Sequence, residues 1–122
     1  MLFKPNKLMV GDWLYDNRLQ CNARVAVLNT NGIPNIDAEP IEITTDFLEK
    51  NFQRNSENAV ENVFGIFDDF YDLFIFPMQD GMWALEYFSC EFNIPYQRVH
   101  VSWVHELQHF LTHCGIDKEL II

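Results

Sequence analysis

Between Leu8 and Asn17, Trp13 and Tyr15 alternate with Asp12 and Asp16, the period-two rhythm of a strand with one wet face. A turn at Asp16-Asn17 leads into CNARVAVLN. There Cys21, Ala23, Val25 and Val27 alternate with the mostly polar Asn22, Arg24 and Asn29, so the two runs predict a hairpin. TNGIPNIDAEP concentrates turn chemistry in Asn31-Gly32, Pro34 and Pro40 and reads as a loop. In IEITTDFLEKNF a brief strand gives way to a short helix. Thr44 or Thr45 caps it, Asp46 sits in the first turn where the helix dipole favours negative charge, and Phe47, Leu48 and Phe52 share one side.

QRNSENAVEN is polar and predicted to be exposed. From Val63 onward the chain turns to aromatic and β-branched residues, which is sheet chemistry. Asp80-Gly81, between DLFIFPM and MWALEYFSC, predicts a hairpin, with Pro77 near a strand end or on an edge because it cannot donate to the ladder. PYQRVHVSW alternates as one more strand. The final helix is predicted over residues 101–114, with Gly115 as its stop and DKELII as a closing strand. On a helical wheel Trp103, Val104, Leu107, Leu111 and Cys114 gather on one arc, while His105, His109 and His113 gather opposite, near Glu106 and Thr112.

At 122 residues with 48% hydrophobic content, the chain has enough apolar material for one core, and no linker or internal repeat divides it. Eighteen acidic residues against eight basic ones give a formal charge of −10, which argues against a phosphate-backbone ligand and hence against nucleic acid. Cys21, Cys90 and Cys114 form no metal or disulfide spacing and read as buried free thiols in a reducing, cytoplasmic setting. The expectation includes no membrane span and no signal peptide, since no apolar run of the needed length occurs near the N-terminus.

One motif carries candidate chemistry. His105-Glu106-Leu107-Gln108-His109 matches H-E-x-x-H, in which two histidines one turn apart bind zinc and the glutamate serves as general base. A catalytic zinc needs a third protein ligand. His113 cannot supply it, because eight residues at about 1.5 Å each separate it from His105 by roughly 12 Å along the axis. His100, Asp117 and Glu119 are the other candidates. The favoured reading is a solvated helix face without metal or other cofactor; the alternatives are an adventitious surface metal pair at His105 and His109, and a minimal zinc hydrolase with those two as ligands and Glu106 as catalytic base.

Other constellations are weaker. Asp68, Asp69 and Asp72 lack the glycine and closing glutamate of a calcium loop and read as a solvated turn. Ser102 has no nucleophile elbow, Cys114 next to His113 points elsewhere on the helix, and no glycine-rich phosphate loop occurs. The aromatic stretch reads mainly as sheet core. Where Phe70, Phe74, Phe76 or Trp83 falls on an uncovered face, the surplus apolar surface points to self-association or a protein partner.

LMVGDWLYD, EPIEITTDFLEKNF and WVHELQHFLTHCGIDKELII together resemble a family of small uncharacterised proteins from Bacteroidetes genomes and their phages or mobile elements. Its members run from a G-D/N-W/Y-V strand through a P-I-x-L-T-x-x-x-L-E-K helix to a terminal V-H-x-L-Q-H/N helix. The resemblance implies a cytoplasmic protein with no assigned activity, cofactor or site. In the family pattern the position of Glu106 is commonly Gln and that of His109 can be Asn, neither of which suits a zinc protease. The aromatic stretch around FDDFYD departs from the pattern.

The expected architecture is therefore a single α+β domain over residues 1–122, a mostly antiparallel sheet of five to seven strands with one short central helix and one C-terminal helix. The expected function is that of a non-enzymatic interaction or accessory protein of a bacterium or its mobile elements. Besides the zinc hydrolase, an acidic nucleic-acid mimic is a second alternative; it requires acidic side chains lined up in a row.

Overall fold

The computed structural model describes residues 9, 11–25, 38–54, 63–89 and 97–122. Val27, Asn29, the loop signals Asn31-Gly32 and Pro34, most of the polar stretch after Arg54, and Cys90 lie outside the described residues. The described elements are β1 (Trp13–Asp16), β2 (Cys21–Arg24), β3 (Ala38–Pro40), α1 (Thr45–Asn51), β4 (Gln53–Arg54), β5 (Phe64–Phe67), β6 (Tyr71–Pro77), β7 (Trp83–Ser89), β8 (Gln97–Val101) and α2 (Val104–His113). The fold is α+β with antiparallel sheets, a short central helix and a C-terminal helix, and its strands fall into two sheets. The chain divides into two compact units, Met1–Glu42 with Trp103–Asp117 and Ile43–Ser102 with Lys118–Ile122.

In the first unit the sheet order is β2-β1-β3, with Leu14 paired to Ala23 on one side and Pro40 on the other. The expected hairpin is present, and its ladder is prolonged by Gly11 N–H to Val25 O and Val25 N–H to Asp12 O. β3 corrects the loop expected there: Ala38-Glu39-Pro40 forms a short third strand, and proline is tolerated because it ends that strand. The wet face of β1 is also reversed. Leu14 and Asp16 are buried, Asp12 just before the strand is buried too, and Trp13 and Tyr15 are half-buried. Asp16 turns inward because its carboxylate closes the hairpin turn, accepting from Arg18 N–H and Leu19 N–H.

In the second unit the sheet order is β4-β5-β6-β7-β8, every neighbour antiparallel. The Asp80-Gly81 hairpin joins β6 to β7, and Pro77 ends β6 as its missing N–H requires. Alternation sorts the side chains. Phe64, Leu73, Ile75, Leu85 and Val101 share the buried face, and full burial of each large apolar group contributes roughly 1.5–3 kcal/mol. Trp83 lies on that side as well, its indole N–H donating to Ile43 O just ahead of α1.

Seven residues are too few for a helix to persist alone, so α1 depends on its ends and its buried side. Thr44 accepts from Phe47 N–H, Asp46 occupies the first turn, and Phe47, Leu48 and Phe52 are buried. The C-terminal stretch after Lys118 forms no strand. Instead the buried Asn51 carboxamide donates to Ile121 O at 2.8 Å and accepts from Ile121 N–H at 2.6 Å, standing in for a neighbouring strand. Lys118 lies over the Phe52 ring at 5.5 Å.

Candidate functional site

Two places carry the residues singled out by sequence, one in each unit. In the first unit, α2 begins three residues later than expected because β8 runs through Val101. Trp103 is its N-cap, and Glu106 Oε1 accepts the Trp103 N–H at 3.1 Å, half of a capping box. The helix ends at Cys114, before Gly115. Val104, Leu107, Phe110 and Leu111 are buried, as the apolar arc requires.

The polar arc is solvated only in part, which corrects the reading favoured from sequence: Thr112 and His113 are exposed, while Glu106 and His109 are half-buried. His105 is only 5% exposed. His109 Nε2 lies 2.9 and 2.8 Å from the two carboxylate oxygens of Asp12, a bidentate contact made by a carboxylate that is itself buried. Asp12 also accepts the Met9 N–H at 2.7 Å. Beside it the Gln108 carboxamide accepts the Trp13 N–H at 2.8 Å and donates to Gly11 O at 3.1 Å. Gly11, at φ +94°, adopts a backbone conformation that side-chain-bearing residues rarely hold, and this turn aims its carbonyl and the Asp12 carboxylate at the helix.

Burial holds the His105 imidazole below its ordinary value; the Asp12 and Glu106 carboxylates oppose that shift and His109 adds to it. The His105 and His109 rings meet edge to face, centroids 5.9 Å apart. His113 is exposed, and Cys114 is half-buried with its thiol pushed up by burial, which lowers its reactivity; Cys21 on the short strand β2 is exposed, which corrects the expectation of buried thiols. Among the described residues no three of His, Cys, Asp and Glu are arranged to hold a metal ion. His109 Nε2 is held by Asp12, and the Glu106 carboxylate a hydrolase would use as base caps its own helix. Among the described residues the His105–His109 pair gains no third ligand, which a catalytic zinc needs.

In the second unit, the face of the five-stranded sheet opposite Leu73 and Ile75 carries Phe67, Asp72, Phe74, Phe76, Glu86, Phe88, Arg98 and His100. Phe67 and Phe74 meet edge to face at 5.4 Å, and Phe74 and Phe88 do so at 6.1 Å. Phe88 is 37% exposed, Phe67, Phe74 and Phe76 are half-buried, and Phe70 stands 65% exposed in the β5–β6 turn. The structure thus brings Phe74 and Phe76 onto one partly shielded face, where Ala84 opposite Phe76 is buried, and sends Trp83 to the other.

Sequence reasoning missed two residues here. Phe67 and Phe88 join the row because the strand register sets each of them directly opposite Asp72. Asp72 itself lies on β6 and not in a solvated turn; only Asp68 and Asp69 are exposed there, Asp68 accepting from Phe70 N–H. The available signal was its spacing of two from Phe74. On the opposite side of β6, burial raises the Tyr71 hydroxyl, with Asp68 and then Tyr87 adding to the effect.

No family model matches the chain, and no match emerges among the curated proteins or the solved structures. No helix among the described residues is long and apolar enough to cross a membrane.

Proposed function

We propose that this is a non-enzymatic interaction protein, cytoplasmic, belonging to a bacterium or its mobile elements, that binds another protein through the outer face of its five-stranded sheet. The single observation that carries the reading is the contiguous row of Phe67, Phe74 and Phe88, three touching phenyl groups on a face from which solvent is not fully excluded. Soluble domains seldom leave such rows open without use, because aromatic surface is the most productive anchor material an interface can have. The cellular setting rests on the resemblance of the strand and helix motifs.

The hydrolase reading draws less support. Glu106 and His109 both have structural work that accounts for their presence. The nucleic-acid mimic draws little, since Asp12 and Asp16 are buried, Glu86 is paired with Arg98, and Asp72 is flanked by phenyl groups.

The test is partner capture on the immobilised protein followed by reconstitution with the purified partner, comparing wild type with Phe74→Ser and Phe88→Ser. Expected is a loss of about tenfold or more in affinity with melting temperature little changed. A partner retained equally by both variants, or zinc-dependent turnover lost in Glu106→Gln, would overturn the reading.

A further inference from the structure

Twice in the second unit a guanidinium is held by the same pair of groups, a carboxylate and a phenyl ring. Arg98 pairs with Glu86 and stands 5.6 Å from the Phe76 ring, on the outer face. Arg54 pairs with Glu49 and stands 4.7 Å from the Phe64 ring. Each arrangement uses the negative face of the ring together with a full negative charge, which suits a flat, weakly hydrated cation.

The outer face contains the same two ingredients a third time. Asp72 lies in register between Phe67 on β5 and Phe88 on β7, with Phe74 two residues along its own strand. Asp72 is half-buried as a residue, and among the described residues no cation or hydrogen-bond donor meets its carboxylate. A carboxylate set in register between phenyl-bearing positions, with no cationic partner among the described residues, is well matched to an organic cation.

We propose that Asp72, with Phe67, Phe74 and Phe88, receives an arginine side chain from a basic polypeptide segment, whose apolar residues settle on the phenyl row. This deepens, and rests on, the reading of that face as the interaction surface. A second copy of the chain is the poorer occupant: it carries eighteen acidic residues against eight basic ones, and a basic segment offers the complementary charge.

The probes are a short synthetic peptide alternating arginine with leucine, its counterpart alternating glutamate with leucine, and N-acetylarginine amide, each titrated into the full chain and followed by amide and aromatic NMR shifts. The arginine peptide is expected to saturate, with shifts centred on Phe67, Asp72, Phe74 and Phe88. Salt should weaken it, Asp72→Asn should weaken it about tenfold, and Asp72→Lys should abolish it while the amide spectrum stays folded. Equal binding of both peptides through the same rings overturns the cation assignment and leaves the interaction surface standing. Binding of N-acetylarginine amide as tight as that of the peptide overturns a polypeptide occupant. Self-association through the same rings assigns the face to a second copy and overturns the basic segment, and the absence of shifts on that face with any probe overturns both readings.

Discussion

At the scale of single residues, the decisive contacts are made by a carboxamide and a carboxylate. Gln108 gives one acceptor and one donor to the backbone of residues 11 and 13, and Asp12 grips His109. Gln108→Ala leaves Trp13 N–H and Gly11 O without this partner, and urea unfolding should show a loss of about 1–3 kcal/mol. Gln108→Glu should cost as much or more, since a carboxylate still accepts from Trp13 but is repelled by the Gly11 carbonyl; a variant as stable as wild type would contradict the two-point contact. His105 gives a pH dependence whose sign follows from burial. Above the ordinary histidine pKa of about 6.5 both folded and unfolded forms are neutral. Below it the unfolded chain takes up a proton that the folded one resists, so this group removes stability as pH falls from there towards its lowered folded value. Thermal melts of wild type and His105→Gln across that window should show a steeper acid loss in wild type. Equal slopes would mean that His105 is not the titrating group.

At the scale of elements, the short helix and the central sheet each depend on one local feature. Thr44→Ala removes the α1 cap and should cost about 1 kcal/mol. Gly65 is demanded by close approach: a methyl group there would sit 1.8 Å from the Leu73 carbonyl oxygen, a backbone atom that cannot swing aside. Gly65→Ala should therefore destabilise by roughly 1–3 kcal/mol or more, read from the urea midpoint, and wild-type stability would mean that β5 and β6 lie further apart than described. The α1 cap, the Asp80-Gly81 hairpin and the alternating β8 were all legible in sequence, since each is written in adjacent residues. β3 was not. Three residues with a proline among them look like a loop until a neighbouring strand supplies the ladder.

At the scale of the molecule, charge outweighs pairing. A formal charge of −10 repels itself, while exposed pairs such as Arg54 with Glu49 are worth about 0–1 kcal/mol each. Raising salt from low to physiological strength should therefore raise the melting temperature, because screening relieves more repulsion than attraction. A fall would show that specific ion pairs dominate.

Sequence by itself determined the α+β class, both helices and two of the hairpins, because periodicity and turn chemistry act over a few positions. Only the tertiary structure decided which side of each element is covered. Alternation says that Asp12 and Trp13 face opposite ways, and it cannot say that the aspartate is inside, since that depends on His109, 97 positions away. The same holds for Asp72, whose phenyl neighbours come from two other strands and become neighbours through register alone.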